Sequence, residues 1–297
     1  MTGNMNRKSI GSRELESLVG LALKEAKALG ADQAEVAASQ DTGLSVTARL
    51  GDVENLEFTN DRGFGVTVYK DNCKGSASTS DITPTAIREA VAKAYSFAKY
   101  TTEDLNSSLA DADLMATKIL DLDLDHHWDI DAEQAIALAI KCENAAMAHD
   151  KRICNSEGAT VNTNRGIRAY GNSHGFFGSA PKTSHGISCV VLAEQDGAKQ
   201  RDYHYTSSRV PNELEEVESV GIEAGRKTIA RLGARKIKTT AAPVLYVPSL
   251  ARGFIGHAMS AISGNAQYRR SSFLLDAIGK KIFSDFVQVQ ERPHIPQ

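Results

Sequence analysis

Leu15, Leu18, Val19, Ala22 and Ala26 recur at helical spacing, with Glu14, Glu16, Lys24 and Lys27 on the opposite side. That pattern predicts a helix over residues 12–28, ended by Gly30. The period then falls to two. Glu35 and Val36 lead in, and Leu44, Val46, Ala48 and Leu50 alternate with Ser45, Thr47 and Arg49, which predicts a half-buried antiparallel strand. Turns at Gly51-Asp52, at Asn60-Asp61-Arg62-Gly63 and at Asp71-Asn72 separate residues 53–58, 64–69 and 73–79, a meander of about four short strands. Thr83-Pro84 opens a second helix with an N-cap and a proline at its first position, and Ile87, Val91, Ala94 and Ala98 form its buried stripe.

Residues 101–127 are acidic and weakly periodic, so they read as a long connection. Asp131 and Gln134 have the spacing of a capping box, and Ile136, Ala139, Ile140 and Met147 give the next helix its apolar face. Strand-like segments follow at 154–163, 166–171, 176–179 and 187–194; Gln195-Asp196-Gly197 is a hairpin turn into 199–206. A helix over 212–232 closes this block, with Gly233 just beyond it. Residues 241–248 read as a short buried strand. The stretch 249–281 reads as a helix capped by Ser249 and ended by Gly264, then a polar turn, Arg269-Arg270 and an apolar segment. Helix, strands, helix occurs twice with consecutive strands, which implies an α+β fold with a mostly antiparallel sheet. The division expected is an N-terminal α+β domain over 1–238 and the start of a β-rich C-terminal domain over 239–297. A strand begins there at 286–289 without a partner to follow. Edge and apolar surface left uncovered there predict a tendency to aggregate. No short tandem repeat of the solenoid kind occurs.

The chain has 297 residues, 41% hydrophobic and 24% charged, with a net charge of -3. These values fit a globular protein of about two domains and argue against an electrostatic nucleic-acid binder. The basic run at 231–238 reads as a solvated helix end and linker. The polar N-terminus lacks the apolar core of a secretory signal, and no apolar window is long enough to span a bilayer. Cys73, Cys142, Cys154 and Cys189 are widely separated without a C-x-x-C pair, which suits free thiols in a reducing cytoplasm.

The histidines draw attention first. His257 sits on the helix after Ser249, but a helical zinc site needs a second histidine one turn away and a glutamate beside the first. Ala258, Ala261 and Ile262 occupy those places, so His257 reads as a core or half-buried histidine beside Leu250, Phe254 and Ala261. His126-His127 lies among aspartates, yet neighbours on an extended chain point apart and do not chelate one ion. In Asn172-Ser173-His174-Gly175 the Ser–His adjacency is poor geometry for nucleophile and base, and side-chain-to-backbone hydrogen bonds of a turn account for Asn172 and Ser173. Gly63-x-Gly65 and the glycines from Gly171 to Gly178 are too sparse for a phosphate loop. His185 and His204 read as strand packing or surface residues, and Arg269-Arg270 as a solvated turn that could otherwise grip a carboxylate. No catalytic, cofactor-binding or metal residue is assigned.

The stretches SVTARLGDVENLEF, GFGVTVYKDNCKGSASTSD, RDYHYT and GNAQYRRSSFLLDAIGKKI, in that order, resemble the PmbA (TldE) branch of the TldD/PmbA family, and the resemblance runs from the first helix to Ile282. It implies a cytoplasmic TldD–TldE heterodimer, a metalloprotease acting on unfolded or flexible peptides such as a microcin precursor or an antitoxin. In the TldD branch one helix carries a histidine–glutamate–x-x-x–histidine motif, and a later cysteine adds a ligand. Alignment through the shared Gly-Asn and Ser-Ser-Phe sequences sets those histidines near Ile255 and Ser260, so no ligand carries over and zinc is expected in a TldD-like partner. Family members are longer, which implies that most of the C-terminal domain is missing. The expectation is a PmbA/TldE-type subunit lacking zinc ligands; the alternative is a non-enzymatic peptide-binding or regulatory protein on the same scaffold.

Overall fold

The computed structural model describes residues 11–116 and 118–296. The helix–strands–helix run occurs as α1 (Ser12–Ala28), β1 (Gln33–Arg49), β2 (Asp52–Lys70), β3 (Cys73–Thr79) and α2 (Pro84–Ala98). It recurs as α3 (Ala132–Ala148), β4 (Ile153–Asn172), β5 (Phe177–Gln195), β6 (Ala198–Ser208) and α4 (Val217–Ala230). Strands β1 and β4 pair antiparallel from Glu35↔Asn172 to Ala48↔Ala159, so both meanders form one six-stranded sheet, β3-β2-β1-β4-β5-β6. The fold is α+β.

Period-two alternation puts the apolar residues of both halves on one face. Val36, Val66 and Ile167 lie under α1 and α2, while Val46, Val161 and Val191 lie under α3 and α4. All four helices therefore cover the same face of long strands, in two separate apolar clusters. Three two-residue hairpins close the meanders, with positive φ at Leu50 and Gly51, Asp71 and Asn72, and Asp196 and Gly197. This is the backbone that the twist of a tight hairpin needs. Asp131 and Gln134 form their capping box, and Thr83 caps α2 ahead of Pro84.

Three expected breaks are absent. Asn60-Asp61-Arg62-Gly63 is not a turn: β2 stays paired with β1 through Gln40↔Arg62 and Thr42↔Asn60. Likewise, the segments at 154–163 and 166–171 are one strand, as are those at 176–179 and 187–194. The cause is common to all three. Polar residues in mid-strand mark the gap between the two apolar clusters, between the part of the sheet under α1 and α2 and the part under α3 and α4, and a sequence pattern cannot tell such a gap from a turn. Helix α4 starts at Val217, after a short 3-10 turn at Pro211–Glu213.

Two compact units divide the chain, one running to Ala234 and one comprising Arg235–Pro293. The second unit contains α5 (Pro248–Ile262) and α6 (Gly264–Tyr268). Val247, not Ser249, is the N-cap of α5, because Pro248 takes the first helical position. Gly264 does not end that helix; Ser263 does, and its hydroxyl caps α6 by accepting from Ala266 N at 3.3 Å. Residues 241–247 and 286–289 are not strands, and Leu245 and Phe286 are exposed. A strand requires a neighbour to bond with, and none is present among the described residues of this unit. No helix among the described residues is long and apolar enough to cross a membrane.

Candidate functional site

Between the two apolar clusters, the inward positions of the sheet turn polar. Gln40 is buried and donates from Nε2 to Asn60 Oδ1 at 2.9 Å. Thr42 donates to the Arg165 carbonyl at 3.3 Å. The Arg165 guanidinium grips Asp125 with two bonds, at 2.8 and 2.6 Å. Such a bidentate pair is geometrically specific, and it holds the Asp125 carboxyl below its usual range. His185, 1% exposed, anchors the seam. Its Nε2 lies 2.8 Å from the His126 carbonyl and its Nδ1 2.8 Å from the Thr163 hydroxyl. The carbonyl can only accept, so Nε2 carries the proton and Nδ1 accepts from Thr163. Burial pushes the His185 imidazole below its ordinary value, and Trp128 packs edge-on against it at 5.6 Å.

The seam holds the connection before α3 against β5. Thr183 N donates to the Leu124 carbonyl at 2.8 Å, and His126 N donates to the Thr183 hydroxyl at 2.9 Å. Beside them lies a cleft of about 560 Å³ lined in part by Thr42, Asp125, His127, Trp128, Arg165 and His185. His126, His127 and His185, read separately in the sequence, thus belong to one neighbourhood, and the docking of the connection before α3 on β5 brings them there. Both nitrogens of His185 are engaged, so it has no free lone pair for base catalysis. The chemistry the seam supports is recognition and positioning.

The remaining candidates fall elsewhere. Asn172 and Ser173 hold a turn: Asn172 Oδ1 accepts from the amides of His174 and Phe176, and Ser173 Oγ accepts from Ala34 N. His174 places Nε2 3.3 Å from Gln33 Nε2 and leaves its buried Nδ1 without a partner among the described residues. His204 meets Glu215 at 3.1 Å and Lys227 of α4 at 2.8 Å, on the helix-covered face of β6. Gly63 and Gly65 lie within β2, opposite Ser39 and Ala37. Arg269 and Arg270 are exposed at the end of α6. His257 requires a correction: it is exposed, as are Leu250 and Phe254, because among the described residues that face of α5 is only partly covered, by Tyr246 edge-on to Phe254 and by the surroundings of buried Ala261. Sequence reasoning also missed Glu143, a buried carboxylate that receives the amides of Leu50 and Gly51 at 2.9 and 3.0 Å. Its helical period had only marked it as one position among alanines.

A zinc ion does not fit the residues present. Among those described, no three His, Cys, Asp or Glu side chains could together hold a metal ion. One helical turn on either side of His257 stand Gly253 and Ala261.

A duplicated helix–meander–helix unit with α1 to α4 on one face of a single antiparallel sheet, followed in the chain by a helical segment, defines the class: an α+β scaffold. Family models for the PmbA/TldA metallopeptidase match in three parts: domain 1 over residues 34–98, the central domain over 125–232, and the C-terminal domain over 239–297. The chain is 43% identical over 95% of its length to the metalloprotease PmbA of Escherichia coli O157:H7, and 44% identical over 95% to a PmbA homolog of Haemophilus influenzae. It spans 62% of the length of each. Among solved structures, a Bacteroides thetaiotaomicron protein described as a candidate modulator of DNA gyrase superposes with a TM-score of 0.86 at 23% identity, over 95% of this chain and 64% of that one. TldE of Thermococcus kodakarensis superposes with a TM-score of 0.64 at 15% identity, over 87% of this chain and 58% of that one. The chain belongs to the PmbA/TldD metallopeptidase family.

Proposed function

We propose that this chain is the PmbA/TldE-type subunit of a cytoplasmic TldD–TldE metalloprotease that cleaves unfolded or flexible peptides, as in microcin-precursor maturation or antitoxin degradation. In this reading it contributes wall and substrate surface, and a TldD-like partner contributes zinc. The observation that carries it is the 43% identity to a PmbA metalloprotease across 95% of the chain, combined with Ile255 and Ser260 on the helix where ligands would stand. Metal analysis of the purified chain, then coexpression with a TldD-like protein, tests it. The expected result is no stoichiometric zinc in the chain alone, and a zinc-containing complex that cleaves an unstructured fluorogenic peptide. Stoichiometric zinc in the isolated chain sinks the proposal. Peptide binding without capture of any TldD-like protein replaces it with the regulatory reading.

A further inference from the structure

We propose that a groove in the first half of the sheet, headed by the Glu35 carboxylate, binds the cationic group of an arginine or lysine carried by an extended peptide. This names a substrate feature for the wall described above and rests on that reading. Ala34 and Val36 are buried under α1 and α2, so alternation turns Glu35 and Ala37 to the opposite face. Strand pairing aims two tyrosines at Glu35. Tyr69 on β2 stands opposite Gln33, and Tyr170 on β4 stands opposite Ala37, each one diagonal step from Glu35. Tyr69 Oη donates to Glu35 Oε1 and Tyr170 Oη to Glu35 Oε2, both at 3.0 Å. Burial first, and Glu35 after it, push both phenols above their ordinary range, so each keeps its proton and donates.

Glu35 stands where cover gives way to open surface. The connection after α2 reaches the Gln33 end of this face, where Leu109 N donates to Gln33 Oε1 at 2.8 Å and Tyr69 is 6% exposed. On the other side of Glu35 lies a groove of about 390 Å³, at the small end of the range for ligand pockets. Ala37, Gly65 and Ser78 pair in a row across three strands to make its floor, and Tyr170 lines one side.

The chemistry is that of a cation acceptor. A carboxylate has about four lone-pair sites, and the two phenols use one each. Both partners are neutral, and Glu35 forms no ion pair among the described residues, so its charge is left uncompensated at the head of the groove. An aromatic ring beside a carboxylate suits a guanidinium, which accepts stacking as well as a counter-ion. The duplicated half shows that the fold does not need this arrangement. The hairpin turns at Asp71 and Asp196 stand 125 residues apart, and by that spacing Tyr69 corresponds to Glu194 and Gly65 to Val190. A carboxylate replaces the phenol there, and a valine stands on the floor.

Amide chemical-shift titration of the full chain with two capped Gly-Ser peptides tests this, one with a central arginine and one with citrulline, its neutral near-isostere. The arginine peptide should shift the amides of Ala37, Gly65 and Ser78 and bind about tenfold more tightly. Glu35→Gln should abolish that preference, whereas Glu57→Gln, which removes an exposed charge opposite Ser45 on the same face, should keep it. If Glu35→Gln fails to fold, Gly65→Leu gives the reading. A Cβ there meets nothing within 4 Å, so the side chain fills the groove and blocks the arginine peptide with the carboxylate in place. Equal affinity for the two peptides, or a preference that survives either groove variant, overturns the proposal. Acetylarginine amide competing as well as the peptide does so too, since it assigns the groove to small free cations. Cleavage of the citrulline peptide by the coexpressed complex, without an arginine preference in the chain, overturns this inference and leaves the protease reading standing. An arginine preference in a chain that forms no zinc-containing complex supports the groove and removes the protease reading.

Discussion

Glu143 is one of the side chains through which the second half of the fold grips the first. It stands on α3 at 1% exposure, and its two oxygens receive Leu50 N and Gly51 N at 2.9 and 3.0 Å. Those amides belong to the β1–β2 hairpin, where Leu50 holds a φ of 52° that side-chain-bearing residues rarely adopt. A hydrogen bond to a charged group contributes about 1.5–3 kcal/mol, so the pair is worth about 3–6 kcal/mol gross. Leu50 is 59% exposed, so water reaches the turn once the carboxylate is gone and recovers part of that sum. The net loss for Glu143→Ala is then about 2–3 kcal/mol, and at about 2–4 °C per kcal/mol for a domain of this size the melting temperature falls by about 5–10 °C. Calorimetry on the variant reads this directly. The control is Glu218→Ala, which removes a shorter ion pair, 2.6 Å from Lys141, whose side chains are 56% and 42% exposed. That change should leave the melt where it was, since exposed pairs contribute little. Equal shifts for the two variants would refute the reasoning, because burial would then not be what decides the strength of the contact.

Two further expectations follow from the seam and the helix pair. His185 is neutral in the fold and its pKa is lowered by burial, so below about pH 6.5 the unfolded chain takes up a proton that the folded chain refuses. The stabilising contribution is complete above that pH and is lost as pH falls; Asp125, held low by Arg165, titrates only in a more acidic range. The melting temperature should drop between pH 7.5 and pH 5, and His185→Gln should flatten that slope while Asp125→Asn should not. Gly221→Ala should destabilise by about 1–3 kcal/mol in denaturant titration, since overpacking costs that much. A Cβ there would stand 2.1 Å from the Cys142 carbonyl of α3. Gly20→Ala, with nothing within 4 Å, should be neutral or gain about 0.5–1 kcal/mol of helix propensity.

The alternation of Leu44, Val46 and Ala48, the stripe Leu15–Val19–Ala22–Ala26 and the Asp131–Gln134 capping box were legible because each is a local signal with one physical meaning. The breaks at Asn60–Gly63 and between the segments of β4 and β5 were misread because polarity in mid-strand has two meanings. It marks a turn when the chain reverses, and it marks a gap between helices when the sheet continues. Only the partner strand distinguishes them: Asn60 is paired with Thr42 and bonded to Gln40. The seam was illegible for the same reason, since His185 meets Thr163 through strand pairing and His126 through a connection that precedes it by 59 positions. His257 failed differently. Its helix has an apolar face, and a face of that kind reads as core whether or not the described chain supplies anything to cover it.

The duplication gives those misreadings a common origin and bears on what the scaffold can do. The pair Asp41↔Gly166 lies at the centre of the β1–β4 ladder, and its members stand 125 residues apart, the spacing that relates the two hairpins. A pseudo-twofold axis therefore passes through the middle of the sheet, and the polar seam crosses it. On the helix side, symmetry-related positions have diverged: Gln40 and Asn60 make a neutral amide pair where Arg165 and His185 bind the connection before α3. On the face opposite α1 to α4, Asp41, Asn164, Gly166, Lys182, Ser184 and Ser207 line an open polar groove of about 620 Å³. Gly166 keeps that groove open at the axis, since a Cβ there would meet Asp41 Oδ1 at 2.5 Å. An outer face that carries Asp41, Asn164, Lys182 and Ser184 around the axis has little to gain there from burial in a dry core. It is suited to wet, reversible contact.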